Sequence, residues 1–476
     1  MGFVLALFYL VVAYLSTKTI FGPLQQYHVE LILAGLVFCV SIPAFQKTFL
    51  QKTVQSIALA GLGVAVAMSI LFGMNFYLTG ALKEFEAFIP NAFAYFLVVL
   101  HCRTKIRLQF LVLALLFVCV FVTAHGAIEL ASGGLPPQQQ TDEDTDLDFK
   151  AEAAQGPAIQ VVDPNADSYL IPQNGANGAV IYRLKGQNFL NDPNDFGQLL
   201  VCVLPLTLIF WRPKRLALNL MIVLPMMTLI GIGIFMTHSR SALLAVLGIV
   251  IVASRRRIGT FPALILAALL FVAAMALKVT GGREISAEQG EDRTALWGDG
   301  LQMFKEHPIF GVGYDQMVDL VGKTAHNSVI VCAAELGAFG LFFWSLFLFP
   351  TMRDALAVSS PTGLSDGIPP PVDESPYAYA APKLEKLDKE EISQMGRLIV
   401  FALVGFLISA MFLSRAFVMT FFLLGGMAEV VFQMALDRGM IAPRMPLLRV
   451  VAYSGVVSVL LVPGMYVIVR ALNLMH

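Results

Sequence analysis

Long apolar runs dominate this sequence and restrict the folds open to it more than any other feature. About thirteen such runs occur along the 476 residues, and a run of about 20 residues is long enough to cross the hydrocarbon core of a membrane as a helix. Only 14% of the residues are charged and 57% are hydrophobic, which leaves too little polar surface to cover a soluble globule. We therefore predict an all-α fold, a polytopic transmembrane helix bundle of about 12 to 13 spans whose outer loops form a site.

The predicted spans follow these runs. They lie near residues 3–21, 30–45, 54–74, 87–101, 108–126, 196–211, 216–236, 241–254, 260–279, 327–350, 398–413, 416–436 and 448–469. The first span lacks a basic leading region and a small-residue cleavage signal, so we expect it to be retained and not removed as a signal peptide.

The short loops carry a charge bias that predicts how the chain crosses the membrane. The basic stretches QKTFLQK, HCRTKIR, WRPKR, SRRR and LDRGMIAPR all fall on the side of the N-terminus, and short loops rich in Lys and Arg face the cytoplasm. Two long segments, from Leu130 to Asn194 and from Val279 to Ala325, then face outward. A third segment, from Thr351 to Gly396, is Pro-rich and charged, which is typical of a flexible cytoplasmic linker.

This topology divides the chain into consecutive parts. They are N-terminal spans (1–129), an acidic outer insertion (130–195), spans carrying a Ser-Arg turn (196–279), an outer catalytic loop (280–326), one span (327–350), the Pro-rich linker (351–396) and C-terminal spans (397–476). Within the acidic insertion, PPQQQTDEDTDLDFKAEAAQGP has few large apolar residues, which indicates a disordered or loosely held segment.

Composition and charge exclude several kinds of partner and site. The 32 basic and 33 acidic residues give a net charge of −1, so we expect no nucleic-acid partner. All five cysteines lie in or beside apolar runs, where a thiol behaves as a small hydrophobe, and we predict no disulfide. The acidic triplet at 142–144 has no histidine nearby, so we predict no metal site there.

Arginines near the outer face are the first candidates for a functional site. Arg240 and Arg415 follow serines in minimal links between spans, THSRSA and LSRAF, where each could also cap a helix or snorkel to the interface. Arg183, Arg283 and Arg293 enter the same face from outer loops. Converging guanidiniums repel one another unless an anion lies among them, and their planar donors suit phosphate oxygens. The expected ligand is an anionic headgroup, a phosphate or a diphosphate.

A histidine follows a glycine-containing turn at the end of the second outer segment. Gly311 and Gly313 allow a tight turn or a close backbone approach, and His326 and Asn327 then lead directly into an apolar helix. A histidine at a helix start is most often structural. At the face that carries the arginines, however, a neutral imidazole could accept a proton from an attacking hydroxyl, a contribution of about 10² to 10⁴ in rate.

Polar residues also open the sixth span, in the stretch YRLKGQNFLNDPNDFGQLL. Asp192, Asn194 and Asp195 stand at its start. Asp and Asn are good helix N-caps, which alone could explain them, and capping ranks first for Asp192. Carboxamide and carboxylate groups there could equally orient a sugar or an arginine. For Asn194 the sequence leaves two roles open, capping the helix and orienting a sugar or an arginine.

Three stretches of this chain together resemble the O-antigen ligase family of bacterial membrane glycosyltransferases, which includes O-antigen polymerases and protein O-oligosaccharyltransferases. They are GQNFLNDPNDFGQLLVCVLPL, THSRSALLAVLGIVIV, and DRTALWGDGLQMFKEHPIFGVGYDQM followed by AHNSVIVCAAELGAFGLFFW. The resemblance covers about residues 180–350, and the rest of the chain is similar only in hydropathy. FLSRAFVMTFF is further similar to O-glycosylation ligases associated with exosortase systems.

The resemblance implies an activity, a location and a set of residues. A glycan would pass from a polyprenyl diphosphate, typically undecaprenyl diphosphate, to a hydroxyl of lipid A core, of a protein or of another glycan, at the periplasmic face of the bacterial inner membrane. The residues implied are His326 and Arg240 for catalysis, Arg240, Arg293, Arg183 and Arg415 for the donor diphosphate, and Asn194, Asn327, Gly311 and Gly313 in support.

The chemistry of such a donor agrees with these residue types. A glycosyl diphosphate already has a good leaving group, so the pair of carboxylates that glycosidases use is not required. The site has to neutralise charge on the departing diphosphate and orient the incoming hydroxyl. We therefore expect no metal and no cofactor, and direct attack should invert the anomeric centre.

Other functions agree with part of the pattern. A polymerase of O-antigen or exopolysaccharide in the same family would differ only in its acceptor. A transporter or flippase for the lipid-linked glycan would also need an outward cationic pocket, but it should distribute substrate groups along the membrane depth and show repeat symmetry. A non-catalytic scaffold explains the placement of the arginines and the histidine poorly.

Overall fold

The structure is a computed structural model, and it describes residues 2–15, 20, 22, 29–48, 53–74, 78–133, 168–174, 180–281, 287–360 and 380–473. Three features of the sequence discussed above lie outside the described residues. They are the acidic stretch of the outer insertion (134–167), Arg283, and the central part of the Pro-rich linker (361–379).

The described residues form fifteen α-helices, two short 3-10 helices (Asn188–Leu190 and Thr207–Phe210) and one β-hairpin. The helices are α1 (Gly2–Leu15), α2 (Val29–Thr48), α3 (Val54–Phe72), α4 (Leu78–His101), α5 (Lys105–Ala131), α6 (Pro193–Leu206), α7 (Leu216–Thr237), α8 (Arg240–Ile258), α9 (Thr260–Ala276), α10 (Ala287–Glu306), α11 (Met317–Val321), α12 (Ser328–Ser359), α13 (Ala380–Ala410), α14 (Met419–Asp437) and α15 (Leu447–Asn473). Strands β1 (Leu170–Asn174) and β2 (Val180–Leu184) pair antiparallel between α5 and α6.

The predicted all-α, multi-pass membrane bundle is confirmed. Among the described helices, eight are long and apolar enough to cross a membrane, and four shorter ones are also apolar. A helix satisfies its backbone hydrogen bonds internally, which is what a lipid environment requires. Every α-helix except α10 and α11 overlaps one of the predicted spans.

The loops lie at two opposite ends of the bundle, and hydrogen bonds and ion pairs connect the loops within each end. We call one the hairpin end, which comprises the β-hairpin, the starts of α6, α8 and α12, and the turn at residues 411–418. We call the other the basic end, where Lys105 and Arg438 pair with Asp388, and Arg212 pairs with Glu391. The basic stretches HCRTKIR, WRPKR and LDRGMIAPR contribute Lys105, Arg212 and Arg438 to the basic end.

The centre of the bundle is formed by α6, α12, α13 and α14. Phe421 of α14 lies between Phe347 of α12 and Phe406 of α13, with ring centroids 5.0 Å away in each case. Glycines let these helices approach closely, since an added Cβ at Gly425 would meet the Phe347 ring and one at Gly405 would meet α6 and α8. This packing places the starts of α6 and α12 and the turn between α13 and α14 at the hairpin end.

The predicted linker at 351–396 is shorter than the sequence indicates. Helix α12 continues to Ser359, and α13 begins at Ala380. Charges at Arg353 and Asp354 made the span appear to end at residue 350, but Asp354 is buried and forms ion pairs with Arg353 and with Arg444. Internal pairing offsets part of the desolvation penalty that these charges would otherwise impose on a buried helix.

The outer loop predicted at 280–326 contains the polar helix α10. Its Gly300 lies against Ile330 of α12, so the helix is docked on the bundle and is not a free loop. The sequence has no long apolar run here, because α10 presents only one side to the protein.

Helix α12 is interrupted at Gly337, and the turn that contains Gly311 and Gly313 packs against this break. Gly337 has φ +63°, and the amides of Ala338 and the residue after it donate to carbonyls of residues 308 and 309 at 2.8 and 3.1 Å. In return, the amides of Val312 and Gly313 donate to carbonyls of residues 334 and 335 at 2.9 and 3.1 Å. The turn therefore pairs with backbone groups of α12 that the break at Gly337 leaves without partners inside the helix.

Candidate functional site

Several helices begin at the hairpin end, and their first turns are capped by side chains. Asp192 caps α6, Ser239 caps α8 and Asn327 caps α12, each by accepting hydrogen bonds from backbone amides of the first turn. Helix α14 begins there as well, at Met419. Because the N-terminus of a helix carries partial positive charge, this end of the bundle is suited to an anion.

Arg240 is the first residue of α8 and is half-buried. The preceding Ser239 donates its hydroxyl to the Asn194 side-chain oxygen at 2.9 Å, which ties this turn to α6. His238 has a left-handed backbone (φ +48°), and its Nδ1 lies 2.9 Å from the carbonyl oxygen of Val279 after α9. The turn that carries Arg240 is therefore held from two sides.

Arg293 reaches the same end on α10. One helical turn later, Trp297 donates its indole N–H to the carbonyl of Ala325 at 2.7 Å. Residues four apart lie on the same face of a helix. Arg293 is therefore on the face of α10 that is directed toward the segment carrying His326.

His326 is half-buried between α10 and the turn at 411–418. Its backbone is left-handed (φ +49°), which is uncommon outside glycine. Neighbouring side chains fix it there, since Thr324 hydrogen-bonds to Ser414, and Asn327 and Ser328 donate to backbone carbonyls of residues 411 and 413 at 3.2 and 2.7 Å. The imidazole is thus carried on a segment anchored on both sides.

Burial and nearby positive charge keep the His326 ring neutral. Burial lowers the pKa of His326 below its ordinary value of 6.5, and the charge of Arg293 lowers it further. Lys323 and Arg415 act in the same direction, while Asp192 opposes them. At pH 7 the imidazole is therefore uncharged and has a nitrogen able to accept a proton.

Arg183 is buried on β2, and its guanidinium is held by three acceptors of the protein. Nε donates to the carbonyl of Thr237 at 2.9 Å, Nη1 to Gln173 Oε1 at 3.1 Å, and Nη2 to Asn194 Oδ1 at 3.0 Å. Burial lowers the pKa of Arg183, and the charge of Arg240 also lowers it, so the two arginines share an electrostatic environment. Arg183 links the hairpin to the end of α7 and the start of α6.

Arg415 lies in the turn at 411–418 and forms an ion pair with Asp195 of α6. Its backbone N–H donates to the Ser328 hydroxyl at 3.0 Å. Burial lowers the pKa of Arg415, but hydrogen bonding and attraction from Asp195 outweigh that effect, and the pKa is raised. The guanidinium is therefore engaged with a carboxylate at the edge of the site.

The remaining residues predicted to support the site hold backbone in place. Asn194 accepts from both Arg183 and Ser239, so its side chain connects the hairpin and the start of α8. Gly311 and Gly313 have φ +74° and +125°, and a Cβ added at Gly311 would lie 2.3 Å from backbone of α12. The backbone of this turn therefore lies so close to the backbone of α12 that a side chain at Gly311 would not fit.

The predicted site residues differ in whether the protein itself already occupies their polar groups. Arg183 and Arg415 are engaged with acceptors of the protein. By contrast, neither the guanidinium of Arg293 nor the imidazole of His326 has a hydrogen-bond partner among the described residues. Arg240 and His326, which the sequence placed at one face, do lie at the same end of the bundle.

Two contributors to this end were not predicted as site residues from the sequence. Trp297 is one, although its spacing of four from Arg293 in DRTALW places both on one helix face. Asp195 is the other: the sequence left open that a carboxylate here caps the helix or orients an arginine, and Asp195 pairs with Arg415, 220 positions away, a partner that no local pattern indicates. No cluster of three or more His, Cys, Asp or Glu side chains able to hold a metal occurs among the described residues.

Residues 225–345 of this chain match the family model described as O-antigen ligase. The matched region includes Arg240, Arg293, His326 and the turn at Gly311, whereas Arg183 and Arg415 lie outside it. A search of curated proteins gave no match. The resemblance inferred from the motifs is therefore confirmed over the matched region.

Proposed function

We propose that this chain, a multi-pass membrane enzyme with an O-antigen ligase family region at residues 225–345, transfers a glycan from a polyprenyl diphosphate to an acceptor hydroxyl. The donor carrier in this proposal is undecaprenyl diphosphate, and the reaction takes place at the periplasmic face of the bacterial inner membrane. Arg240 and Arg293 bind the diphosphate, and His326 accepts the proton of the hydroxyl. Arg183 and Arg415 keep the surrounding backbone in place.

The observation that carries the proposal is the shared position of Arg240, Arg293 and His326. All three lie at the hairpin end, and the charge of Arg293 acts on His326. Arg293 and His326 have no hydrogen-bond partner among the described residues, so their polar groups are available to a substrate. A cationic pair beside a neutral imidazole can supply the charge neutralisation and the general base that transfer from a diphosphate donor uses.

The distribution of basic residues supports an outward-facing site. Arg212, Lys214 and Arg215 follow α6 at the end opposite the hairpin, and the run at 255–257 ends α8 there. Short loops rich in basic residues face the cytoplasm. The hairpin end, with the candidate site, is then extracytoplasmic, where a lipid-linked glycan would be exposed in the outer leaflet.

The proposed step balances without a further reactant. The acceptor oxygen forms a bond to the anomeric carbon while the bond from that carbon to the diphosphate oxygen breaks. The proton of the hydroxyl moves to a ring nitrogen of His326, and polyprenyl diphosphate leaves with the electron pair of the broken bond. Arg240 and Arg293 neutralise the charge that grows on that oxygen, and inversion follows from attack opposite the leaving group.

The test is transfer by purified protein supplied with a defined oligosaccharide on undecaprenyl diphosphate. Lipid A core, a peptide and a second lipid-linked glycan are offered as acceptors in the presence of a chelator, and products are identified by mass. We expect one acceptor to gain the glycan with inverted anomeric configuration. Absence of transfer to every acceptor by folded protein, or a product with retained configuration, would contradict the proposal.

Matched variants separate chemistry from folding. His326→Ala should reduce transfer by about 10² to 10⁴, and Arg240→Gln by about 10² to 10³, the scale for removing one electrostatic contact to the transition state. His125→Ala and Arg470→Gln remove exposed side chains of the same kinds, on α5 and α15, that have no role in the proposed step, and both should retain activity. Equal losses in the control variants would show that the site has been assigned to the wrong residues.

A further inference from the structure

A second cationic site lies at the basic end, away from the proposed active site. A cavity of about 680 Å³ opens between the last turns of α8, the end of α12 and the middle of α13. Its polar lining is dominated by arginines, namely Arg255, Arg256, Arg257 and Arg397. The reaction proposed for the hairpin end gives these residues no role.

The four guanidiniums differ from the other basic groups at this end. Among the described residues, none of the four forms a salt bridge; Arg256 donates to the Ser360 hydroxyl at 2.8 Å and Arg397 to the Ser393 hydroxyl at 3.0 Å. The charges of Arg256 and Arg257 repel the Arg397 guanidinium, and the charge of Glu390 attracts it. By contrast, Lys105, Arg212 and Arg438 at the same end pair with carboxylates.

The rest of the lining is apolar. Val250, Leu356, Val400 and Phe401 form walls beside the arginines, together with Leu208. A free inorganic anion would use the guanidiniums and leave these walls unoccupied. A ligand with a phosphate attached to hydrocarbon would use both, because guanidiniums bind phosphate oxygens and the walls bind an acyl chain.

The helix dipole and the membrane topology account for only part of this arginine cluster. Arg255, Arg256 and Arg257 end α8, where basic residues favour the helix dipole and a cytoplasmic location. The helix dipole does not explain Arg397, which lies in the middle of α13 and follows the buried residues Ile392, Ser393 and Met395. An ionisable group within a spanning helix is costly and calls for a partner.

We propose that this cavity binds an anionic phospholipid, one whose headgroup carries a net negative charge, from the leaflet at the basic end. The lipid phosphate lies among the arginines and offsets their mutual repulsion, and an acyl chain lies along the apolar wall. Basic pockets between membrane helices on the cytoplasmic side are suited to anionic headgroups. The bound lipid connects α8 with α13 and does not depend on the function proposed for the other end.

The experiment measures which lipids stay with the full chain. Protein is reconstituted in nanodiscs of phosphatidylcholine with or without phosphatidylglycerol, and retained lipids are counted by native mass spectrometry after transfer to detergent. The test variant combines Arg255→Gln with Arg397→Gln. The control combines Lys214→Gln with Arg215→Gln, which removes the same charge from exposed residues at the same end that do not line the cavity.

We expect the unmodified chain and the control variant to retain phosphatidylglycerol selectively and the test variant to lose it. Affinity should fall about fivefold for each arginine removed, the scale for one basic residue near an anionic surface. Phosphatidylglycerol should also raise the Tm of the unmodified chain and of the control, but not of the test variant. Inorganic phosphate at matched concentration should give no such rise.

Three results would overturn the proposal. Equal retention of phosphatidylglycerol by test and control variants would mean that binding follows net charge and not this cavity. A Tm increase from inorganic phosphate that depends on Arg255 and Arg397 would identify a free anion as the ligand. Retention of phosphatidylcholine and phosphatidylglycerol in equal amounts by the unmodified chain would show that the cavity does not select a charged headgroup.

Discussion

Replacement of Arg183 by methionine distinguishes a residue that holds the site together from one that binds the donor. The substitution keeps an unbranched side chain of similar length and removes every hydrogen-bond donor of the guanidinium. The sequence places Arg183 among the diphosphate ligands, whereas in the structure its nitrogens donate to Thr237, Gln173 and Asn194. We expect the variant to lose stability while its affinity for the donor stays near that of the unmodified chain.

The size of the loss depends on what each acceptor has left. Gln173 is exposed, so water replaces the guanidinium there. Asn194 keeps its hydrogen bond from Ser239. The carbonyl of Thr237 loses the hydrogen bond that Arg183 made to it in a buried position. One acceptor of this kind costs about 1–3 kcal/mol, well below the sum expected if all three bonds were lost without replacement.

The assay is thermal unfolding in detergent, paired with binding of a lipid diphosphate. A Tm lower by several degrees, with donor affinity changed less than twofold, is the expected outcome. Gln173→Ala serves as a control and should leave both quantities unchanged, because it removes only the exposed partner. An unchanged Tm together with a loss of affinity as large as that of Arg240→Gln would refute this reasoning and return Arg183 to the donor site.

The titration of His326 and the turn at Gly311 provide two further tests. His326 must be neutral to accept a proton. Because burial and Arg293 lower its pKa, kcat/KM should stay constant at neutral pH and fall only below about pH 6.5. Arg293→Gln removes a positive charge that lowers this pKa, so the fall should move to higher pH, and an unchanged pH profile would contradict the coupling. Gly311→Ala places a Cβ 2.3 Å from the backbone of Glu335 at φ +74° and should prevent accumulation of folded protein. Gly322→Ala, at φ +77° with open space around it, should cost only about 1–2 kcal/mol; equal yields of the two glycine variants would argue against the docked turn.

Hydropathy was sufficient to predict the bundle because each spanning helix is recognisable from its own residues. Apolar length alone indicated the spans, and the helices lie where the runs lie. The extent of α12 could not be predicted in this way. Asp354 interrupts the apolar pattern, yet it is buried beside Arg444, 90 positions later in the chain. A charge paired over that distance looks like a solvated loop when only its neighbours in sequence are considered.

The candidate site was predictable in its residue types but not in the division of labour among them. Arg183, Arg415 and Arg293 look equivalent in sequence, as arginines near one face. Their roles diverge because Asp195 and Asn194, on the first turn of α6, lie next to two of them in space. The segment around His326 was likewise recognisable, while its anchoring by Trp297 depends on how α10 docks. Contacts between distant segments therefore decide which cations are available to a ligand.

The most direct test of the central claim compares donor binding and glycan transfer in the same preparation. His326→Ala should bind undecaprenyl diphosphate as tightly as the unmodified chain and yet transfer glycan about 10² to 10⁴ times more slowly. Arg240→Gln and Arg293→Gln should each bind it at least tenfold more weakly, on the order of one charge-assisted contact. Full transfer by His326→Ala, or undiminished diphosphate binding by both arginine variants, would contradict the account.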